Sequence, residues 1–373
     1  MVLTNQQKSD LRQKILNYAK KLGFDLVGFS KAKIDGKYLR EFKKWLKNGY
    51  EADMSYMQKI SERSDIDKIL PDAKTVIVLG MNYYHEQPTL PHGSAHVARY
   101  AYGRDYHKVI GKKLKELEEF ISTTPPMQSR NLSKKSARAD FCSQKTAKES
   151  HIDLKSYVDT GPILERAFAE QSGLGRIGKN GCLITEKFGS WVFLAEIITT
   201  IDLNLNKNSK AISTSASTSR WSDPSHKPFN ICGNCTRCMT ACPTGAIIAP
   251  GIIDSRLCIS YLTIENRKKI PQRLAKIIKK TKRIFGCDIC QEVCPHNIAR
   301  RRRAQKINSP PANNPQQNLL DGLLTPIAGD SLSLKKTSAI TTDAEFLKIF
   351  AGSSLMRAKR KGLQRNARIC KLQ

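Results

Sequence analysis

The sequence predicts an α+β protein, in which an N-terminal α/β domain precedes a cysteine-rich module and a short basic C-terminal region. Helix and strand patterns alternate up to about residue 225, which is typical of an α/β or an α+β domain. Most cysteines crowd into one third of the chain, and basic runs dominate its end. The chain has 373 residues, of which 40% are hydrophobic, so it is long enough for two or three domains with buried cores. We place these domains at 1–225, 226–305 and 306–373.

Hydrophobic spacing predicts the elements of the first domain in order. The first helix contains Leu11, Ile15 and Leu22 and ends at Gly23. The remaining predictions are a strand at 24–30, a helix around 39–46, a strand at 75–84, a helix at 110–121 before Pro125, a strand ending at 157–158, a helix at 163–171 and a strand at 191–199. Two polar segments, 128–151 and 204–222, are predicted to be surface insertions.

The charge balance indicates an anionic partner. The chain contains 63 Lys and Arg against 33 Asp and Glu, a formal charge of +30, which favours nucleic acid first and a membrane surface second. The most apolar stretches, 75–84 and 191–201, are too short to span a bilayer, and Glu196 interrupts the second. No secretory signal or membrane anchor is evident, so we expect a cytoplasmic protein.

Two cysteine runs have the spacing of iron–sulfur ligands. Residues 232–243 read CGNCTRCMTACP and residues 287–295 read CDICQEVCP. The first run fits the C-x2-C-x2-C-x3-C-P pattern, whose fourth cysteine binds the other cluster in two-cluster ferredoxins. The second lacks one leading cysteine, and Cys258 is its natural replacement. We therefore predict two [4Fe–4S] clusters in a ferredoxin-like module, the first bound by Cys232, Cys235, Cys238 and Cys294, and the second by Cys242, Cys258, Cys287 and Cys290.

A pair of zinc sites is the alternative for these cysteines, because C-x2-C pairs also suit tetrahedral zinc. The C-x3-C-P ending occurs twice and favours iron–sulfur clusters. Three cysteines remain, and we expect them to be free thiols: Cys142, Cys182 and Cys370.

Asp159 is the candidate catalytic residue of the first domain. It follows a predicted strand and precedes Thr-Gly-Pro and a helix. Such a carboxyl group can face a cleft, or it can cap the helix by accepting from its free N–H groups; the local pattern leaves both open. The following glycines, which end in Gly178-Lys179-Asn180, form a turn whose N–H groups can bind an anionic or amide group. They match neither a dinucleotide-binding motif nor a P-loop.

Taken together, these motifs resemble the epoxyqueuosine reductases, which complete queuosine synthesis in tRNA. The resemblance covers about residues 8–305, and the stretch 346–367 resembles the family's C-terminal piece. Its segments are ARYAYGRDYHKVI (98–110), VDTGPILERAFAEQSGLGRIGKNGCLI (158–184), GSWVFLAEI (189–197), the first cysteine run with PTGAI (243–247), RLCISYLTIE (256–265) and GCDICQEVCPHN (286–297).

This resemblance implies a cobalamin enzyme with two [4Fe–4S] clusters that reduces epoxyqueuosine at the tRNA wobble position to queuosine. The first domain would then bind cobalamin, and tRNA would be the partner. The protein would be a monomer, and an unidentified external donor would supply its electrons. Asp159 matches the family's proton donor, and burial beside the corrin would favour its protonated form. The positions that match cobalamin contacts are Arg63, Tyr102, Asp159, Gly178, Lys179, Asn180, Ser260, Cys287 and Asp288.

A basic surface for the tRNA anticodon arm is predicted around the cluster module. Residues 267–306 carry 14 Lys and Arg against two acidic residues, and the run Arg300–Arg303 lies among them. Any single basic run can instead be a solvated face, and this one can also be a nuclear signal. Two other functions compete: a small-molecule reductive dehalogenase and a non-catalytic ferredoxin-type electron carrier. A reductive dehalogenase of small molecules would have no use for the formal charge of +30. An electron carrier would leave the N-terminal domain unexplained.

Overall fold

The computed structural model describes residues 3–124, 152–204, 231–298, 323 and 325–371. Apart from Asn204, the predicted insertions 128–151 and 204–222 lie outside these residues, as do Cys142, the run Arg300–Arg303 and the predicted domain boundaries at 225 and 305. The helices are α1 (Asn5–Lys21), α2 (Gly36–Lys47), α3 (Ile60–Ser64), α4 (Tyr106–Thr123), α5 (Glu165–Gln171), α6 (Arg237–Ala241), α7 (Ile259–Ile264), α8 (Gln272–Thr281), α9 (Ile289–Glu292), α10 (Leu334–Ala339), α11 (Asp343–Phe350) and α12 (Lys359–Lys371).

A four-stranded sheet organises the first part of the chain. Its strands lie in the order β1 (Leu26–Lys31), β2 (Thr75–Asn82), β7 (Val192–Thr199) and β4 (Leu154–Tyr157). All three of its strand pairs are antiparallel. The mixed helix-and-sheet class is confirmed, but the α/β arrangement expected for this part is wrong, since α/β units place parallel strands side by side. The strands are β1 (Leu26–Lys31), β2 (Thr75–Asn82), β3 (Ser94–Val97), β4 (Leu154–Tyr157), β5 (Arg176–Ile177), β6 (Leu183–Ile184), β7 (Val192–Thr199), β8 (Ile247–Ala249), β9 (Ile252–Ile253), β10 (Arg283–Phe285) and β11 (Ser331–Ser333).

Both faces of this sheet are covered, which explains why β2 is apolar at nearly every position. All eight residues of β2 are buried. Because successive side chains point to opposite faces, Ile77 and Leu79 pack with α1 and α4 in one core. Val76 and Val78 belong to a second core with Phe168 of α5. The sheet thereby holds α4 and α5 at fixed positions, and these helices carry the site described below.

Cap residues define the ends of the helices that the sequence predicted. Thr4 caps α1 with a capping box, and Gly23 follows its end with φ of +91°. The Asp105 carboxylate accepts from the backbone N–H of His107 and caps α4. Within the described ranges, no helix is both long and apolar enough to cross a lipid bilayer.

The basic C-terminal region folds onto the cluster module. Strand β3, from the first part of the chain, pairs in parallel with β10 and antiparallel with β11. Helix α12 packs on α8 and α10 in the core that these strands share. The buried Asn366 side chain donates to the carbonyls of Thr263 and Ile284, at 2.8 and 2.9 Å. Residues 325–371 are therefore a structural part of the cluster module.

Candidate active site

Asp159 lies between β4 and α5, with its backbone in the left-handed region at φ of +58°. Its side chain is 61% exposed. The N-cap of α5 is Leu164, which makes no side-chain cap hydrogen bond. The capping alternative for Asp159 is therefore wrong, and the carboxyl group is open to solvent.

Two neighbouring residues of α4 contact this carboxyl group. The Tyr106 hydroxyl donates to Asp159 Oδ2 at 2.6 Å. His107 Nε2 lies 3.7 Å from the same oxygen, which makes an ionic contact without a direct hydrogen bond. The other ring nitrogen of His107, Nδ1, is 2.7 Å from Asp105 Oδ1. Asp105, His107 and Asp159 thus form a line of alternating acid, base and acid.

This arrangement favours opposite charges on Asp159 and His107. Partial desolvation by the surrounding protein opposes the charged form of both groups, although solvent still reaches the Asp159 side chain. For Asp159 the contacts with His107 and Tyr106 outweigh burial and lower its pKa. For His107 the contacts with Asp105 and Asp159 raise its pKa to about 9. These partners therefore favour the carboxylate of Asp159, and the protonated form expected beside a corrin stays a prediction.

Two further acids lie behind Asp159, and the sequence did not predict a role for them. Burial raises the pKa of Glu165 to about 8 and also raises that of Glu196, and the Asp159 carboxylate adds to both rises. Glu196 is fully buried on β7. Its signal in the sequence was an acid in the middle of an apolar strand. Tyr106 and His107 stood within a recognised motif, but only tertiary structure brings them to Asp159.

Two of the residues predicted to contact cobalamin carry buried polar atoms without a hydrogen-bond partner among the described residues. They are Arg63 Nε and Asn180 Nδ2. The Arg63 guanidinium also donates to the carbonyl of Ile163 at 3.0 Å, close in the chain to Asp159. Such atoms suit the amide and carbonyl groups at the rim of a corrin, because a buried polar group without a partner is unfavourable. At these two positions, the residues fit the cofactor.

Other predicted cobalamin contacts already have partners in the protein. The buried Asp288 carboxylate accepts from the Arg99 backbone N–H at 2.8 Å. The ring of Tyr102 lies 4.3 Å from that of His85. At Gly178, an added Cβ would lie 2.4 Å from Ile184 Cδ1, so this turn packs against the Ile184 side chain. Ser260 is half-buried in the first turn of α7.

Three cysteines of the first run and a distant fourth line one small cavity. They are the four predicted ligands of the first cluster, Cys232, Cys235, Cys238 and Cys294. Lys179 and Asn180 line the same cavity. Lys179 Nζ donates to the carbonyl of Gly233 at 2.7 Å, and its backbone N–H points to Cys232 Sγ at 3.5 Å. The glycine-rich turn therefore supports the cysteine loop directly.

The predicted ligands of the second cluster are also neighbours. Burial raises the pKa of Cys258, and the nearby Cys242 thiol adds to the rise. Burial likewise raises the pKa of Cys287 to about 12, and Cys258 adds to it. Among the described residues, no three Cys, His, Asp or Glu side chains are arranged to hold a single metal ion. The two remaining described cysteines, Cys182 and Cys370, form no disulfide, and their assignment as thiols that bind no cluster stays a prediction.

Part of the predicted basic surface is visible on α8. Its buried residues are Leu274 and Ile278, while Arg273, Lys276 and Lys280 are exposed. The spacing of three and four residues places these three cations on one side of the helix. They form a continuous positive strip beside the cluster module.

Two family profiles match the chain. Residues 63–160 match the family described as "Epoxyqueuosine reductase QueG, DUF1730". Residues 231–297 match the "4Fe-4S double cluster binding domain". The second match covers all eight predicted cluster ligands, so this module is an iron–sulfur domain and the zinc alternative is wrong.

Relatives resemble the chain over nearly its whole length. The epoxyqueuosine reductase of Gloeobacter violaceus is 38% identical over 95% of this chain and 93% of its own. That of Cellulophaga algicola is 37% identical over 97% of this chain and 98% of its own.

Solved structures extend the similarity to the fold. An epoxyqueuosine reductase in complex with an epoxyqueuosine-modified tRNA-Tyr stem loop superposes with a TM-score of 0.72 at 27% identity, over 97% of this chain and 81% of that one. A Bacillus subtilis epoxyqueuosine reductase, whose catalytic aspartate loop is swung out of the active site, has a TM-score of 0.71 at the same identity and coverage.

Proposed function

This chain belongs to the epoxyqueuosine reductase family, and we propose that it reduces epoxyqueuosine at the tRNA wobble position to queuosine, the last step of queuosine biosynthesis. The observation that carries this proposal is the solvent-exposed carboxyl group of Asp159, in contact with Tyr106 and His107. An acid–base pair there suits protonation of an oxygen that leaves a ring. The same chain contains the iron–sulfur module and two buried polar atoms without a partner among the described residues, Arg63 Nε and Asn180 Nδ2.

The net reaction needs two electrons and two protons for each epoxide. Both bonds to the epoxide oxygen break, a carbon–carbon double bond forms, and the oxygen leaves as water. We propose that an external low-potential donor supplies the electrons through two [4Fe–4S] clusters. The first would be bound by Cys232, Cys235, Cys238 and Cys294, and the second by Cys242, Cys258, Cys287 and Cys290.

Cobalamin is the proposed second cofactor, and when bound it supplies low-potential redox chemistry that activates the epoxide. Arg63 and Asn180 would hold it through their unpartnered Nε and Nδ2 atoms. The remaining predicted contacts are Tyr102, Gly178, Lys179, Ser260, Cys287 and Asp288. Lys179 and Asn180 also line the cysteine cavity, so one turn of the chain would contact both cofactor sites.

Asp159 is the proposed proton donor, and His107 is the proposed source of its proton. The lowered pKa of Asp159 and the raised pKa of His107 place one proton on the imidazole at neutral pH. When Nε2 and Oδ2, which are 3.7 Å apart here, come within hydrogen-bond distance, the imidazole can give Asp159 the proton that it passes to the departing oxygen. Asp105 holds the ring through Nδ1 and stabilises its charged form. Tyr106 fixes the orientation of the receiving oxygen.

The substrate would be the anticodon arm of a tRNA, since a related structure contains such a stem loop. The formal charge of +30 favours a polyanionic partner. Phosphate contacts would give affinity and orientation, while the cleft at Asp159 would recognise the modified base.

The deciding experiment is anaerobic conversion of an epoxyqueuosine-modified stem loop by the protein loaded with clusters and cobalamin. Mass spectrometry of the digested nucleosides should show queuosine in place of epoxyqueuosine. In cells, tRNA from a strain that lacks the protein should accumulate epoxyqueuosine. A fully loaded protein that leaves the stem loop unchanged, while a family member converts it under the same conditions, would contradict the proposal.

A further inference from the structure

Tyr56 is an aromatic side chain on the surface that the proposed chemistry does not use. It lies in the 3-10 helix Ser55–Gln58, and its relative exposure is 42%. Among the residues that the structure describes, it is the only Phe, Tyr or Trp residue that is exposed rather than buried or half-buried. An open ring of this kind can stack on a flat group of a partner.

Arg357 places a second flat group beside this ring. Its guanidinium carbon lies 5.6 Å from the centroid of the Tyr56 ring, within the range of a cation–π contact. Its Nε and Nη2 donate to the two carboxyl oxygens of Glu265 at 2.7 and 3.0 Å, and this two-point contact fixes the plane of the guanidinium. The Arg357 side chain is nevertheless 55% exposed. Ring and guanidinium therefore form a small, pre-arranged surface that is open to solvent.

Arg63 connects this pair to the segment that carries Asp159. The Arg63 guanidinium donates to the carbonyl of Tyr56 at 3.4 Å and to the carbonyl of Ile163 at 3.0 Å. Ile163 lies four residues after Asp159, in the segment between β4 and α5. The Tyr56–Arg357 pair is therefore next to the segment that holds the proposed proton donor.

The charges at the site agree with this placement. Partial desolvation raises the pKa of Asp159, but its two contacts on α4 and then the charge of Arg357 lower it. Partial burial, then the Glu265 carboxylate and after it that of Asp159 raise the pKa of Tyr56, while Arg357 lowers it. Both members of the pair are thus within electrostatic reach of Asp159.

An unpaired base of RNA fits such a surface. Loops of RNA present bases that stack on aromatic rings and on arginine planes, and this stacking accepts any base because every base has a flat face. The formal charge of +30 favours a polyanion, and a related structure contains a tRNA stem loop. A loop whose modified base reaches Asp159 would bring a neighbouring base to the Tyr56–Arg357 pair.

We propose that Tyr56 and Arg357 bind, by stacking, the base of a nucleotide directly beside the modified one in the anticodon loop. This inference rests on the proposed function, which places the modified base at Asp159. The stack takes a neighbouring base out of the loop's own base stack, and so holds the modified nucleotide at the site. The pair acts in binding and positioning, and it transfers neither protons nor electrons.

The first test measures the affinity of the reconstituted full chain for a synthetic, unmodified anticodon stem loop. Tyr56→Ala should weaken binding about tenfold, whereas Tyr56→Phe retains the ring and should bind as the parent does. Arg357→Lys keeps the charge but loses the flat group, so it should also weaken binding. The control is Ile248→Ala, since Ile248 of β8 has the same exposure of 42%, and it should match the parent. Parent affinity in Tyr56→Ala or in Arg357→Lys would overturn the proposal.

The second test asks whether the loss arises from a base. Two further stem loops each lack the base of one nucleotide beside the wobble position. One of them should bind the parent about tenfold more weakly. Tyr56→Ala should bind that loop as well as the parent does, because the stacking partner is already absent. If Tyr56→Ala lowered the affinity for all three loops by the same factor, the ring would contact no neighbouring base, and the proposal would be wrong.

Conversion of the modified stem loop separates this inference from the proposed function. A loaded parent protein that binds the modified stem loop and leaves it unchanged contradicts the proposed function, while the loops without a base still decide whether Tyr56 and Arg357 stack on one. A loaded parent protein that converts the modified stem loop, but shows no coupling between Tyr56 and a neighbouring base, contradicts only the stacking pair.

Discussion

The Tyr106 hydroxyl donates a 2.6 Å hydrogen bond to Asp159 Oδ2, the same oxygen that faces His107 Nε2 at 3.7 Å. One carboxyl oxygen therefore serves two neighbours on consecutive positions of α4. The ring of Tyr106 stacks on Phe193 of β7, with centroids 4.4 Å apart, and this packing fixes the hydroxyl. The position of the acid thus depends on contacts between the helix and the sheet core.

Replacing Asp159 by Asn should abolish most epoxide reduction while preserving the fold. An amide keeps the size of the side chain but cannot donate a carboxyl proton, so we expect a loss on the order of 10²-fold. Asn also tolerates the left-handed backbone of this position, at φ of +58°. Single-turnover rates on the modified stem loop measure the effect.

The matched control is Asp72→Asn, because Asp72 is exposed and has a similar φ of +59°. It should leave the rate unchanged. A near-normal rate for Asp159→Asn would mean that another group protonates the oxygen.

Tyr106→Phe should raise the pKa of Asp159, because the variant loses a hydrogen bond that stabilises the carboxylate. The stacked ring remains, so the free energy of unfolding should fall by only about 1 kcal/mol. The pH dependence of single-turnover reduction should shift to higher pH. An unchanged pH profile would show that the hydroxyl does not influence Asp159.

His107 should titrate well above an ordinary histidine. The contacts with Asp105 and Asp159 outweigh burial and raise its pKa to about 9, and its charged form therefore stabilises the fold. This contribution is fully present below about pH 6.5, the ordinary histidine pKa, and is lost as pH rises through about 9. NMR titration of the imidazole signals measures it.

His96 provides an internal control in the same spectra, since burial and then Arg283 lower its pKa. Asp105→Asn should bring the His107 pKa down while the His96 signal stays in place. Equal titration of both rings in the parent would contradict the acid–base line at Asp159.

Cys294→Ser should remove one cluster and leave the other. The Cys294 thiol lines the same cavity as Cys232, Cys235 and Cys238, and a [4Fe–4S] cluster needs four cysteine ligands. Reconstituted parent protein should contain about eight irons and the variant about four. Cys370→Ser, at a buried thiol near the Ile278 carbonyl, should keep the parent value. A variant with full iron and an unaltered EPR spectrum would exclude Cys294 as a ligand.

Local patterns in the sequence located much of the site. Helices α1 and α4 and strands β2 and β7 lie where apolar spacing predicted them, because each buries a continuous apolar face. The cavity shared by Cys232 and Cys294 followed from the spacing of ferredoxin ligands. These features depend on residues that are close in sequence or on motifs with fixed geometry.

The features that the sequence missed depend on distant pairings. Strand β3 reads as a loop in isolation, and it is a strand only because β10 and β11 flank it. Likewise, the lowered pKa of Asp159 depends on Tyr106 and His107, about 50 residues earlier in the chain. The antiparallel sheet was not predicted, since strand direction is set by connections that hydrophobic periodicity does not report.

The positive strip of α8 should contribute to tRNA affinity through phosphate contacts. Arg273, Lys276 and Lys280 are exposed on one side of the helix, away from the buried Leu274 and Ile278. Replacing all three by Gln should weaken binding of the stem loop and flatten its salt dependence. Each lost phosphate contact should reduce the slope of log binding constant against log salt concentration by about 0.7–0.9.

A second triple variant separates local contacts from total charge. Lys14, Lys112 and Lys115 are exposed on α1 and α4, and replacing them by Gln removes the same charge from the other part of the molecule. If α8 contacts phosphates, only the α8 variant should lose salt dependence to this extent, and its turnover rate at saturating stem loop should stay at the parent value, since the chemistry at Asp159 is unaltered. Equal effects of the two triple variants on affinity and slope would instead mean that the strip acts only through the net charge of the protein, and that the phosphates are bound elsewhere.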